Sequence, residues 1–150
     1  MFDDLFKSRW PSFTKEEVFS PDGLNFLKRG IFPIRFSALD KLQEFRTKLN
    51  IPFLINHAGL DLRGFRSIRE EYNLNLELER DPFTYSMHCA GIAFDIASPK
   101  MSVEPLYKEC LFFNWGGVGI YDWGVHVDCR DSIARWDMRT VKTPIDIKAA

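Results

Sequence analysis

The stretch GGVGIYDWGVHVD, at positions 116–128, constrains the fold more than any other part of the sequence. On either side of the short segment Asp122–Gly124, apolar residues alternate with small or polar ones. Alternation with a period of two is typical of β-strands, and aspartate and glycine are typical of the turn between them. The sequence therefore predicts two short strands joined by a turn, with four alternating apolar positions at Val118, Ile120, Val125 and Val127.

Helices are predicted on both sides of the middle of the chain. The clearest pattern is FSALDKLQEFRTKLN, in which apolar residues recur at spacings of three and four: Leu39, Leu42, Phe45 and Leu49. Ser37 is the expected N-cap of this helix. FTKEEVF pairs Thr14 with Glu17 in a capping-box pattern, and SVEPLYKECLFF predicts a helix capped by Ser102.

The remaining segments complete an α+β pattern. SPDGLNFLKRG is typical of a turn or short helix closed by Gly30, and IPFLIN predicts a short buried strand after Pro52. The charged stretch LDLRGFRSIREEYNLNLELERDP predicts a loop followed by a frayed helix. We therefore expect helices first and a small, mostly antiparallel sheet late in the chain.

Length and composition exclude several classes of protein. The 150 residues are most simply one domain, 1–150, and an apolar share of 45% is enough for a substantial core. A net charge of -1, with acids and bases interspersed, argues against a nucleic-acid partner. No apolar run approaches the roughly 20 residues of a membrane span, so no membrane insertion is expected. The first residues, MFDDLFKSRWPSF, lack the pattern of a secretory signal, so we expect synthesis in the cytoplasm without one.

Cysteines and aromatic residues are expected to serve mainly in the core. The cysteines lack a CxxC pair, which argues against a disulfide scaffold and a four-cysteine zinc site: Cys89, Cys110 and Cys129. The aromatic residues near the hairpin could line a groove, although core packing is the expectation for most of them: Phe112, Phe113, Trp115, Tyr121 and Trp123. Trp136 is expected to anchor the core.

Two of the three histidines suggest a metal site. His88 and His126 lie in apolar, glycine-flanked surroundings, where an unsatisfied imidazole is costly, whereas His57 is expected on the surface or in a loop. Asp95 lies between them in the sequence, in the apolar stretch SMHCAGIAFDIA. A catalytic zinc takes three ligands of these types and leaves a fourth position for water. On spacing alone, hydrogen-bonded core histidines and a capping aspartate explain the same residues.

Strand geometry sets two conditions on such a site. Side chains of His88 and Asp95 would face opposite sides of one strand, so they converge only if the chain turns at Ala90 and Gly91. His126 and Asp128 are two residues apart on a predicted strand and therefore face the same way. Asp128 could then approach a water on the metal, or it could orient a ligand from behind.

Three motifs together resemble the zinc D-Ala-D-Ala carboxypeptidase family, which includes phage endolysin peptidases. SMHCAGIAFDI resembles the family signature S-x-H-x-x-G-x-A-x-D, and GFRSIREEYN resembles its G-Y-R-S segment. GVGIYDWGVHVDCRDSIARW resembles the second signature of the subgroup that reads V-H-V-D-x-R. The motifs occur in the family's order, and the resemblance covers roughly residues 12–137.

The resemblance implies a fold and a set of site residues. The fold would be a small zinc-peptidase fold, with helices packed on a short, mostly antiparallel sheet that carries the metal site. His88, Asp95 and His126 would bind one zinc ion. Arg66 would bind the substrate or polarise the scissile carbonyl, and Ser86 would contact the substrate near the metal.

The sequence departs from the family at one catalytic position. Several members carry an acidic general base three residues before the last zinc histidine, and Trp123 stands there in this chain. The nearby acids are Asp122 and Asp128. Because the subgroup with HVD resembles this sequence better, Asp128 is the expected catalytic base, and Asp122 is the alternative.

The implied activity is hydrolysis of an amide bond in the peptides of bacterial peptidoglycan. One version is a carboxypeptidase that removes the terminal D-alanine, and the other is an endopeptidase that cuts the stem or cross-bridge. The expected site of action is the bacterial cell wall or periplasm, for a monomer that a phage could encode. A catalytically inactive peptidoglycan-binding module of the same fold is the alternative.

Overall fold

The protein has a mixed α+β fold. The structure is a computed structural model, and it describes residues 2–19, 21–58, 68–81, 86–88 and 90–145. The helices are α1 Phe2–Arg9, α2 Lys15–Val18, α3 Pro21–Lys28, α4 Phe36–Leu49, α5 Ile68–Glu77 and α6 Val103–Phe112. The strands are β1 Leu54–Ala58, β2 Ala93–Ala97, β3 Gly117–Ile120, β4 Val125–Asp128 and β5 Ala134–Asp137. The expected α+β class is confirmed.

The five strands form one open sheet in the order β1-β2-β4-β3-β5. Three neighbouring pairs are antiparallel, and the pair of β3 and β5 is parallel. In this register His126 lies opposite Asp95 on one side and Gly119 on the other, and Gly119 in turn lies opposite Trp136. Directly paired residues share a face of the sheet, so these positions form one row across it.

The opposite face of the sheet forms the core. Its side chains are fully buried, as the predicted alternation requires: Phe94, Ile96, Val118, Ile120, Val125 and Val127. Helices α4 and α6 complete the same cluster with Leu39, Leu42, Phe45, Leu106 and Cys110. Trp115, at 1% exposure, packs between Phe45 and Phe94. One face of the sheet is therefore committed to packing, which leaves the other for polar side chains.

Most predicted elements are confirmed, with corrections at their ends. Thr14 and Glu17 form a reciprocal capping box on α2. Helix α4 begins at Phe36, so Ser37 lies inside it and is not the N-cap; Arg35 occupies that position without a side-chain hydrogen bond. Ser102 is the N-cap residue of α6, but its side chain makes no capping hydrogen bond.

The expectation of a sheet confined to the end of the chain is partly wrong. Strands β1 and β2 come before α6 and form one side of the sheet, and His57 lies within β1 rather than in a loop. Strand β5 was not predicted. Within the described ranges, none of the helices has the length and apolar character needed to cross a membrane.

Candidate metal centre

Neighbouring strands bring two of the predicted ligands together. Asp95 of β2 and His126 of β4 are directly paired in the antiparallel register, on the face opposite the core. Their flanking residues Phe94, Ile96, Val125 and Val127 are fully buried in that core, which fixes the direction of the intervening polar side chains. The apolar alternation of the two strands thus places Asp95 and His126 side by side.

A tight turn before β2 brings in the third ligand. Hydrogen bonds from Gly91 N to His88 O and from Ile92 N to Met87 O close the turn, at 3.0 and 3.3 Å. Gly91 has φ +69°, and a Cβ there would approach the carbonyl oxygen of Pro33 at 2.8 Å. A glycine is therefore required at this position. The turn satisfies the condition for His88 to reach the side of the sheet that holds Asp95.

The three side chains converge in a buried cluster. His88 Nε2 lies 3.3 Å from Asp95 Oδ1, and His126 Nδ1 lies 2.9 Å from the same oxygen. One ligand atom of each residue lies within 4.8 Å of the others, and the residues are only 2%, 6% and 7% exposed. Two imidazoles and a carboxylate are a donor set suited to zinc. The cluster could therefore bind a metal ion.

His88 does not have the contacts of an ordinary core histidine. Its side chain is buried, yet Nδ1 has no hydrogen-bond partner among the residues that the structure describes. A structural histidine at this depth would normally have both nitrogens satisfied. The hydrogen-bonded core alternative therefore accounts for Nε2, which faces Asp95, but not for Nδ1.

Asp128 lies behind His126 as seen from Asp95. The imidazole directs Nδ1 at Asp95 and Nε2 at Asp128 Oδ2, at 2.9 and 2.8 Å. The two ring nitrogens point in roughly opposite directions, so an ion bound at Nδ1 would leave the proton of the neutral ring on Nε2, facing Asp128. This is the arrangement in which a carboxylate fixes the tautomer of a metal-binding histidine.

The other contacts of Asp128 occupy the rest of its carboxylate. Gly117 N and Arg130 N donate to Oδ1, at 3.0 and 3.1 Å. The Arg130 guanidinium donates to both oxygens, at 2.8 and 2.6 Å. The side chain of Asp128 has no solvent exposure. These contacts favour the orienting role of Asp128 over the general-base role.

The electrostatics of the cluster favour a bound cation. Burial alone would raise the pKa of Asp95, but hydrogen bonds with His126 and His88 outweigh it and hold that pKa well below its usual range. The pKa of Asp128 is likewise lowered, because its hydrogen bonds with His126 and Arg130 outweigh burial. With His126 neutral, as it would be with an ion on Nδ1, the two carboxylates exceed the charge of Arg130 by one negative charge, which would offset part of the charge of the ion.

Trp136 is a site residue that sequence reasoning missed. It was expected in the core, but it is half-buried on the same face as His126, with ring centroids 5.1 Å apart. A Cβ on Gly119 would collide with the indole, so glycine at this position gives the ring its place on the sheet. The Arg130 guanidinium lies over the indole as well, at 5.3 Å from the centroid. The glycines of GGVGI leave that face of β3 without side chains. They were the sequence signal that a large side chain from a neighbouring strand could cover it.

The other predicted site residues are placed differently. Arg66 and Cys89 lie outside the described residues. Ser86 is half-buried at the start of the turn, where its hydroxyl accepts a hydrogen bond from His88 N at 3.2 Å. Asp122 is exposed and accepts hydrogen bonds from Thr140 N and Oγ1, so its carboxylate is also engaged.

Comparisons of this chain with protein-family models, with curated proteins and with solved structures find no match.

Proposed function

We propose that the protein is a zinc-dependent peptidase that hydrolyses amide bonds in the peptides of bacterial peptidoglycan. The observation that supports it best is the convergence of His88, Asp95 and His126, with Asp128 hydrogen-bonded to the far side of His126. The resemblance to the zinc D-Ala-D-Ala carboxypeptidase family supplies the substrate class, because two of its three motifs contain these same residues. The expected site of action is the cell wall or periplasm.

Each residue of the cluster has a distinct task in this proposal. His88, Asp95 and His126 would hold the ion, and zinc would supply Lewis acidity and an activated water. Asp128 would keep Nδ1 of His126 free to bind by accepting a hydrogen bond from Nε2–H. Arg130 in turn holds both oxygens of Asp128, which fixes the plane of the carboxylate.

The resemblance also assigns two residues to the substrate. We propose, from the resemblance, that Ser86 contacts the peptide and that Arg66 binds a carboxylate or polarises the scissile carbonyl. Ser86 lies two residues before His88, and its hydroxyl accepts a hydrogen bond from His88 N. It therefore lies at the start of the turn that positions His88. Both the carboxypeptidase and the endopeptidase versions of the proposal would use these two residues.

One observation favours the alternative of a binding module without catalysis. Both carboxylates considered as general base are already engaged, Asp128 by Arg130 and His126, and Asp122 by Thr140. A peptidase needs a group that accepts a proton during attack on the amide. Under the alternative, the metal would organise a peptidoglycan-binding surface.

Digestion of purified peptidoglycan distinguishes the two. The chelated protein is assayed with and without added zinc, and released peptides are identified by mass spectrometry. We expect zinc-dependent release of a new amine: free D-alanine for a carboxypeptidase, a cut stem or cross-bridge for an endopeptidase. Asp95→Asn should abolish release, whereas Asp131→Asn, the same change at an exposed carboxylate outside the cluster, should leave it within about twofold. One tightly bound zinc without any released amine would favour the binding module.

A further inference from the structure

A pair of stacked aromatic rings extends from the candidate metal centre to the solvent. Tyr121 and Trp123, at the turn between β3 and β4, stack with ring centroids 4.9 Å apart and planes 24° apart. Trp123 is nevertheless 43% exposed. Tryptophan is normally well buried, so a tryptophan that stacks on one ring and still exposes much of its surface to solvent is unusual and suggests a binding role.

The pair is continuous with the metal-binding cluster. Trp136 Nε1 donates a hydrogen bond to the Tyr121 hydroxyl at 2.9 Å, and the same indole packs against His126. The turn is closed by a hydrogen bond from Tyr121 N to Gly124 O at 2.9 Å. The rings are therefore held in place before any ligand arrives, which lowers the entropy cost of binding one.

The polar groups around the pair indicate the chemistry of the ligand. The Tyr121 hydroxyl accepts from Trp136 and retains its own hydrogen for donation. The nearby charged groups already have hydrogen-bond partners: Asp122 accepts from Thr140, and Arg130 donates to Asp128. An apolar ring face with a neutral donor at its edge suits a ligand with an apolar face and a hydroxyl rim, which describes a pyranose ring.

We propose that Trp123 and Tyr121 form a saccharide subsite beside the candidate metal centre. Its occupant is a pyranose ring of a β-linked N-acetylhexosamine strand, stacked on the exposed face of Trp123 with a hydroxyl accepting from Tyr121. The identity of the sugar rests on the proposed function, because the peptides of peptidoglycan are attached to such a strand. The subsite would place the glycan to one side of the metal and the attached peptide over it.

Binding of tri-N-acetylchitotriose to the chelated protein tests the subsite without any hydrolysis. We expect saturable chemical-shift changes in a ¹H–¹⁵N NMR titration, with the largest changes at the backbone of 121–124 and the Trp123 indole N–H. Trp123→Ala should weaken binding by about tenfold, and Trp123→Phe, which keeps a ring for stacking, should lose less. Phe112→Ala is the control, because Phe112 is 61% exposed on α6, the helix that packs against the other face of the sheet.

Three results would overturn the subsite: no saturable binding by the wild type, equal affinity of Trp123→Ala, or shift changes centred elsewhere. The shift map needs only the wild type, so it decides the matter even if Trp123→Ala does not fold. Saccharide binding without any peptide release would contradict the proposed peptidase alone. Cleavage of glycan-free peptides by a protein that binds no saccharide would contradict the subsite alone.

Discussion

His126 and Asp128 share one face of β4, with Nε2 of the imidazole 2.8 Å from a carboxylate oxygen of Asp128. The other ring nitrogen of His126 is thereby directed at Asp95. A residue pair separated by only two positions thus fixes both the tautomer and the orientation of a predicted ligand. The hydrogen bond between His126 and Asp128 should therefore control how tightly the cluster binds a metal.

Asp128→Asn should lower zinc affinity by about 10–100-fold, because the neutral amide no longer stabilises the Nε2–H tautomer of His126. Competition with a chromophoric chelator measures the affinity. Asp131→Asn provides the control, because Asp131 is an exposed carboxylate three residues farther along. A general base would behave differently: kcat would fall while zinc affinity stayed at the wild-type value.

Gly119→Ala should destabilise the fold by about 1–3 kcal/mol, because the added Cβ collides with the indole of Trp136. Urea denaturation of the variant measures this loss. The double variant Gly119→Ala/Trp136→Ala should be less destabilised than the sum of the single variants, since the collision is then relieved. Strict additivity would contradict the contact between the two positions.

The stability of the metal-free protein should fall as the pH rises above neutrality. Burial lowers the pKa of His126, but its hydrogen bonds with Asp128 and Asp95 outweigh burial and raise that pKa above its ordinary value. The charged imidazolium therefore stabilises the fold fully below the unfolded pKa of about 6.5, and this stabilisation is lost as pH rises through the folded pKa. Urea denaturation in chelator, from pH 6 to 9, measures the unfolding free energy.

His126→Gln should remove most of this slope, because glutamine does not titrate. Saturating zinc should reverse the slope in the wild type, since protons and the ion compete for the same imidazole. An unfolding free energy that rises with pH in the absence of metal would contradict the raised pKa of His126.

Leu42→Ala should cost about 2–5 kcal/mol of unfolding free energy, because Leu42 of α4 is fully buried in the cluster beneath the sheet. Leu76→Ala is a matched control in α5, where the leucine is 50% exposed, and should change stability by at most about 0.5 kcal/mol. Thermal or chemical denaturation of both variants provides the comparison. Similar losses in the two would mean that the buried face of α4 is wrongly identified.

The sequence predicts best where periodicity and burial agree. Helix α4 and the two strands around Asp122–Gly124 follow from apolar spacing, and the positions of His126 and Asp128 follow from strand alternation. Convergence of His88 on Asp95 required a turn that the small residues Ala90 and Gly91 allow. These features depend on the local geometry of strands, helices and turns, which can be predicted from one sequence.

Features set by pairing between distant segments were missed. Strand β5 has only four residues, ARWD, without alternation, and its partner is a parallel strand with the connection passing through β4. The sequence does not reveal that Trp136 leaves the core, because its neighbour on the sheet, Gly119, is 17 positions away in the sequence. The contact between Arg130 and Asp128 was missed for a different reason: the two residues are close in sequence, but spacing does not specify the side-chain conformation that joins them.

On the site face of the sheet, β3 presents only glycines, Gly117 and Gly119. Asp128 reaches over Gly117 from β4, whereas Trp136 reaches over Gly119 from β5, so neighbouring strands fill the space that β3 leaves open. Substitutions of Trp136 in β5 can therefore change the aromatic surface beside His126. The pairing of β2 with β4, which positions Asp95 and His126, would stay the same. Under the proposed function, selectivity for the substrate and retention of the ion can then change independently among descendants of this chain.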